Sequence, residues 1–233
     1  MSHSKTIVSH EINVITPVNT SHELCEVKNA KALVIFAHGA GADMHHHYIE
    51  DLVEEMNSQQ LSVLRFNFPY MDKRKIDGKR RPPDRMPKLV DCYQSIITNL
   101  KTDLPIIIAG KSMGGRVAAT LAGDKSLMDA HNIKGVICLG YPFHPVKKPE
   151  KLRLAPLQET QLPVLILQGE RDALGSEIEI NDYEISSRCQ LHFFNDGDHD
   201  LKPRVKSGQT LAQHKRAAVF GMRSFIDEIN NDC

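Results

Sequence analysis

Residues 106–119 read IIIAGKSMGGRVAA, and this stretch decides the architecture. Three isoleucines and an alanine make an unbroken apolar run, and an alanine-rich run follows at once. An apolar run that does not alternate predicts a strand covered on both faces, as in a mostly parallel sheet. Val117 and Leu121 continue at helical spacing until Gly123, a helix-ending residue. Between strand and helix stands a G-x-S-x-G turn: Gly110, Ser112 and Gly114. A serine on so sharp a turn is forced into strained backbone that lifts its Oγ above the sheet edge. Side chains two positions before and after it would collide, so both are glycine. The helix aims its first N–H groups at the same spot. The Met113 N–H is placed there to receive a developing oxyanion.

The same alternation runs outward from this point. KALVIFAHG (31–39), LSVLRFNFP (61–69), LPIIIAG (104–110), IKGVICLG (133–140) and LPVLILQG (162–169) are apolar runs, most of them ended by Gly or Pro. QLHFFND (190–196) is a weaker sixth. Between them lie helical faces: Ile49, Leu52, Val53 and Met56; Leu89, Tyr93, Ile96, Ile97 and Leu100; and finally Leu211, Ala218, Met222, Phe225 and Ile226. Strand alternating with helix predicts an α/β fold with a mostly parallel central sheet and helices on both faces, one domain over 1–233. EINVI (11–15) and ELCEV (23–27) read as antiparallel edge strands. Two basic or proline-rich segments, 71–88 and 141–160, fit neither pattern. Both follow the C-terminal end of a strand, where open α/β sheets bind ligands.

Bulk properties exclude several classes. The chain has 29 Lys and Arg against 29 Asp and Glu, so no net field draws it to nucleic acid or a membrane surface. The polar N-terminus does not read as a signal peptide, and no apolar stretch approaches the roughly 18 residues of a membrane span. Five scattered cysteines without a CxxC pair read as reduced thiols in a cytoplasmic protein, with Cys138 in the core. His45, His46 and His47 are consecutive on a helix and point in three directions, so no metal is expected, and no cofactor. Nothing in the sequence assigns an oligomeric state.

A serine needs a base, and the base an orienting acid, in the chain order Ser, Asp or Glu, His. LPVLILQGERDALG places Asp172 just past a late strand, with Glu170 as the competing acid. LHFFNDGDHDLKP places His199 after the last strand, among Asp196, Asp198 and Asp200. The other histidines fit worse, and His38 reads as a loop-shaping residue. The H-G-x-G turn after ALVIFA offers a second backbone oxyanion donor, Ala40 first and Gly41 second. Tyr70, Tyr141 and Phe143 follow strand ends and are candidates, with Gly41, for lining the substrate pocket. Residues 72–85 carry seven basic side chains against three aspartates, an anion clamp beside the site or a solvated loop. Lys111, inside the turn, has no assigned role.

HGAGA, GKSMGG, LQGERD and GDH, in that order, resemble the α/β-hydrolase superfamily over essentially the whole chain. RFNFPY, GKSMGGRVA, GYPFHP and LQGERDALG look more narrowly like the group of predicted hydrolases that includes dienelactone-hydrolase-like proteins. They are also similar to the testis-expressed TEX-thirty type and to relatives of the NSL-complex subunit three. The resemblance implies a serine hydrolase carried by Ser112, Asp172 and His199, acting on a small ester or thioester. Because some relatives act within complexes, it also implies an alternative, a non-catalytic binding or scaffold protein. The same scaffold serves peptidases and cofactor-free peroxidases. The chain differs from dienelactone hydrolases in carrying Ser112 where they carry cysteine, and about twenty residues at 141–160 are too few for a lid domain.

Overall fold

Each strong apolar run forms a strand. The computed structural model describes residues 12–14 and 20–231. Among them are β1 (Asn13–Val14), β2 (His22–Cys25), β3 (Ala32–Ala37), β4 (Leu61–Phe66), β5 (Leu100–Lys101), β6 (Ile106–Lys111), β7 (Ile133–Leu139), β8 (Val164–Gly169) and β9 (Cys189–Phe194). The helices are α1 (His47–Ser58), α2 (Pro69–Asp77), α3 (Met86–Thr98), α4 (Met113–Leu121), α5 (Lys125–Ala130), α6 (Ala155–Gln158), α7 (Glu177–Ile180) and α8 (Leu211–Asn231). Seven strands make the main sheet in the order β2-β4-β3-β6-β7-β8-β9. All neighbours are parallel except β2, which pairs antiparallel with β4. The mostly parallel α/β architecture is the one expected from the sequence.

Two apolar layers explain why the strands carry no polar stripe. Leu33, Ile35 and Ile108 pack on one face with Tyr93 of α3 and Val117 of α4. Val34, Phe36 and Ile107 pack on the other with Leu52 of α1 and Met222 of α8. Strand β9 lies at the sheet edge and alternates between partly buried and exposed positions, which is why its run reads weakly.

The structure departs from the sequence reading in three places. Glu11 and Ile15 of EINVI lie outside the described residues. Asn13 and Val14 pair with Lys101 and Leu100 in a separate two-stranded sheet, so Leu100 serves a strand and not the α3 face. Residues 71–77 are helical, because Pro69 starts α2 with its fixed φ and Gly78 stops it at φ +69. Only 78–85 remain as a connection to α3.

Strand β3 is flanked by β4 and β6, so the chain leaves it to one side and returns on the other. A crevice opens at the C-terminal ends of strands at such a switch point. Ala37 and Lys111, the last residues of β3 and β6, stand beside it. The buried hydroxyl of Tyr93 holds the two strands from below, donating to the Ile35 carbonyl. Removing it in Tyr93→Phe leaves a buried acceptor without its partner and is expected to lower the unfolding free energy by about 1–3 kcal/mol. Urea denaturation checks this; a variant as stable as the parent would mean the hydroxyl holds nothing.

Candidate functional site

Ser112 has φ 53° and ψ −116°, a left-handed backbone for a residue with a side chain. The packing around it dictates this conformation. A Cβ on Gly110 would lie 2.4 Å from the carbonyl carbon of Gly114, and one on Gly114 would lie 2.4 Å from the Ala37 carbonyl oxygen. Helix α4 can sit this close to β3 and β6 only without those atoms. The Ser112 N–H donates to Leu139 O at 2.8 Å, and the Ser112 carbonyl accepts from Arg116 N–H at 3.0 Å. Met113 opens α4, where first-turn N–H groups have no acceptor within the helix.

His199 reaches this serine from the loop after β9. Its Nε2 lies 2.9 Å from Ser112 Oγ and its Nδ1 2.7 Å from Asp172 Oδ2. Asp172 is 1% exposed and also accepts from Gln168 Nε2 at 2.9 Å and Leu174 N–H at 2.8 Å. An ionised carboxylate only accepts, so Nδ1 carries the imidazole proton and Nε2 is free to accept from the serine hydroxyl. Glu170, the competing acid, instead accepts from Asp196 N–H at 2.6 Å. None of the neighbouring aspartates orients the ring. Asp196 binds Arg204 and Arg171, and the Arg204 guanidinium holds its carboxyl well below the usual range. Asp198 accepts from the Asp200 and Lys202 N–H groups, and Asp200 pairs with Lys111.

The loop after β3 is shaped from beneath. Phe68 N–H donates to His38 Nε2 at 3.0 Å, so Nδ1 carries the proton and donates to the Gly39 carbonyl at 2.6 Å. The Tyr70 hydroxyl donates to the Ala40 carbonyl at 3.0 Å. In a planar trans peptide, the Ala40 N–H points opposite to the Gly39 carbonyl. Fixing that carbonyl on a buried histidine therefore turns the Ala40 N–H away from the interior. Beside it lies a cavity of about 530 Å³ whose walls include Ala40, Gly41, Tyr48, Lys111, Ser112 and His199.

A family model described as an alpha/beta hydrolase domain matches residues 30–227. The chain belongs to the α/β-hydrolase family. Est1E from Butyrivibrio proteoclasticus shares the fold at a TM-score of 0.66 and 15% identity, over 96% of this chain and 100% of that one. A dienelactone hydrolase from Anabaena variabilis gives 0.64 and 16%, over 91% and 95%. XC6422 from Xanthomonas campestris, described as a serine hydrolase without lid, gives 0.61 and 16%, over 95% and 96%.

In this α/β-hydrolase the aromatic residues expected at the pocket lie elsewhere. Tyr70, Tyr141 and Phe143 are at most 2% exposed and belong to the core. Tyr141 packs edge-on against Phe143 and donates to Arg153 O, while Gly175 leaves room for the Phe143 ring. Gly41 is among the residues in the cavity wall. The basic segment 72–85 contributes none of the cavity's lining residues; its Arg81 pairs with Asp77 and its Asp84 with Lys88. The lysines at the cavity are instead Lys111 and Lys202, beside His46 and His47 where α1 begins. The sequence carried two signals for them: a lysine inside the turn, and a histidine run immediately before a helical pattern. Among the described residues no group of three His, Cys, Asp or Glu side chains suits a metal, and no helix is long and apolar enough to cross a membrane.

Burial pushes the His38 imidazole down to about 4 from 6.5. Between those values the unfolded chain binds a proton that folded His38 refuses. Its contribution to stability is intact above pH 6.5 and is lost as pH falls toward 4, by about 3 kcal/mol in all. Urea denaturation across this window is expected to show a shallower decline for His38→Gln than for the parent; parallel declines would count against the assignment.

Proposed function

We propose that this α/β-hydrolase is a serine hydrolase that cleaves a small carboxylic ester or thioester. The observation that carries the reading is the continuous hydrogen-bonded path from Ser112 Oγ through His199 to buried Asp172, at 2.9 and 2.7 Å. Both distances lie within the reach required of a nucleophile and its base.

The chemistry follows from these positions. His199 Nε2 takes the Ser112 proton as Oγ attacks the substrate carbonyl carbon. The carbonyl π electrons move to oxygen, and the N–H groups of Met113 and Ala40 hold the resulting oxyanion. Collapse expels the alkoxide or thiolate, which takes the proton from His199, and Ser112 is left acylated. Water then attacks with His199 again as base, releasing the acid and restoring the serine. Asp172 keeps the proton on Nδ1 and stabilises the imidazolium that forms at each step.

A small substrate suits the surroundings. The segment 141–160 folds back on itself, with Arg153 N–H donating to the Phe143 carbonyl at 2.8 Å and Tyr141 anchored to Arg153 O. Among the described residues no covering domain closes the cavity. The likeness to a dienelactone hydrolase and to a serine hydrolase without lid is in keeping with this reading.

A fluorophosphonate probe is expected to label the wild type and to leave Ser112→Ala and His199→Ala unlabelled. With p-nitrophenyl acetate, kcat/KM should fall by about 10⁴-fold or more in either variant, and by about 10³–10⁴-fold in Asp172→Asn. A folded wild type that takes up no probe and turns over no short ester would overturn the reading.

A further inference from the structure

The hydrolysis scheme leaves one charged side chain beside the serine without a part. Lys111 ends β6 one residue before Ser112, and its side chain is only 8% exposed. Its Nζ donates to the His199 carbonyl oxygen at 2.7 Å and lies 3.2 Å from Asp200 Oδ1. Gly140, at φ +62°, leaves the space for this contact. A Cβ there would sit 2.8 Å from the His199 carbonyl oxygen, 3.0 Å from Lys111 Nζ and 3.3 Å from His199 Cε1. Ammonium, carbonyl and imidazole thus share one corner of the site.

Loss of hydration opposes burying an ammonium, so a buried lysine persists where acceptors hold it. Burial pushes Lys111 below the ordinary lysine range, and Asp200 pulls it back toward it. The loop that carries His199 needs such an anchor. Asp196 and Leu201 both adopt left-handed backbone, at φ 54° and 62°. The Asp196 end is tied down by Arg171, Arg204 and Glu170. At His199 itself the backbone is held by the Lys111 ammonium.

We infer that Lys111, steadied by Asp200, is a positioning residue that pins the His199 carbonyl and thereby keeps the imidazole between Ser112 and Asp172. Its kinetic consequence rests on the hydrolase reading; the pinning can be observed without turnover. Lys111→Met retains an unbranched apolar stem, and Asp200, 62% exposed, stays hydrated without its partner. Removal of the buried ammonium's desolvation cost offsets the lost hydrogen bond to the His199 carbonyl, so the urea midpoint is expected to stay close to the parent's.

Proton NMR of the wild type should show a sharp downfield resonance from His199 Nδ1–H on Asp172. It should be broadened by solvent exchange in Lys111→Met and partly so in Asp200→Asn. Fluorophosphonate labelling should slow about 10- to 100-fold in Lys111→Met, and kcat for p-nitrophenyl acetate should fall with KM unchanged. Asp200→Asn should add nothing in the Lys111→Met background, since the two act as one unit. An equally sharp resonance in Lys111→Met, or its absence from the wild type, would overturn the inference. A wild type that shows the expected NMR behaviour but takes no probe would sink the hydrolase reading and leave the role of Lys111 standing.

Discussion

The backbone of α4 lies directly against β3 and β6, and the rest of the site depends on that approach. Gly110, Gly114 and Gly115 meet neighbouring backbone at distances no Cβ could tolerate. The close crossing leaves one conformation for the residue that links strand to helix, and Ser112 takes it at φ 53°. Strain of this kind costs on the order of 1–3 kcal/mol and persists only where the surroundings over-determine it. Here they do, through the Leu139 and Arg116 hydrogen bonds and the apolar layers on both sides of the sheet. The Ser112 backbone is thus held by packing and by its own hydrogen bonds, and its hydroxyl meets His199 Nε2 at 2.9 Å.

A belt of buried polar groups rings the same edge. His38 follows β3, Asn67 follows β4, Lys111 ends β6, Gln168 and Asp172 stand at the end of β8, and Asp196 follows β9. Each comes from a strand otherwise wholly or largely apolar. Unpaired, such groups would destabilise the fold; paired, they fix the loops that carry the site. Asn67 accepts from Met44 N–H at 2.9 Å and so holds the approach to α1. Gln168 donates to Asp172 at 2.9 Å and to the Gly175 carbonyl at 3.0 Å, joining the acid to the turn that contains it. The positions of Ser112, His199 and Asp172 are therefore consequences of a hydrogen-bonded frame extending over five strands.

Strand and helix periods were readable because each is a local property. An unbroken apolar run flanked by turn residues has few ways to bury itself, and the i, i+3, i+4 faces of α1, α3 and α8 name their own buried side. Less was readable where two elements share one stretch. Residues 71–77 look polar and mobile, yet Pro69 and Gly78 bound a helix whose Tyr70 and Met71 reach the core. Leu100 matched a helical face while its backbone pairs with β1. Tyr141 and Phe143 occupy a strand end that opens toward the site, but the chain turns there and folds their rings inward.

What the sequence determined by itself was the fold class and the turn at Ser112, because both rest on sterics among near neighbours. It also ordered a serine, an acid and a histidine along the chain. Only the tertiary structure brought Asp172 and not Glu170 to the imidazole, fixed the Gly39 carbonyl on His38, and joined Lys111 to a carbonyl 88 residues away. Those choices depend on where a side chain points once its strand has ended. Direction at a strand end is set by contacts with loops far along the chain, which no local pattern encodes.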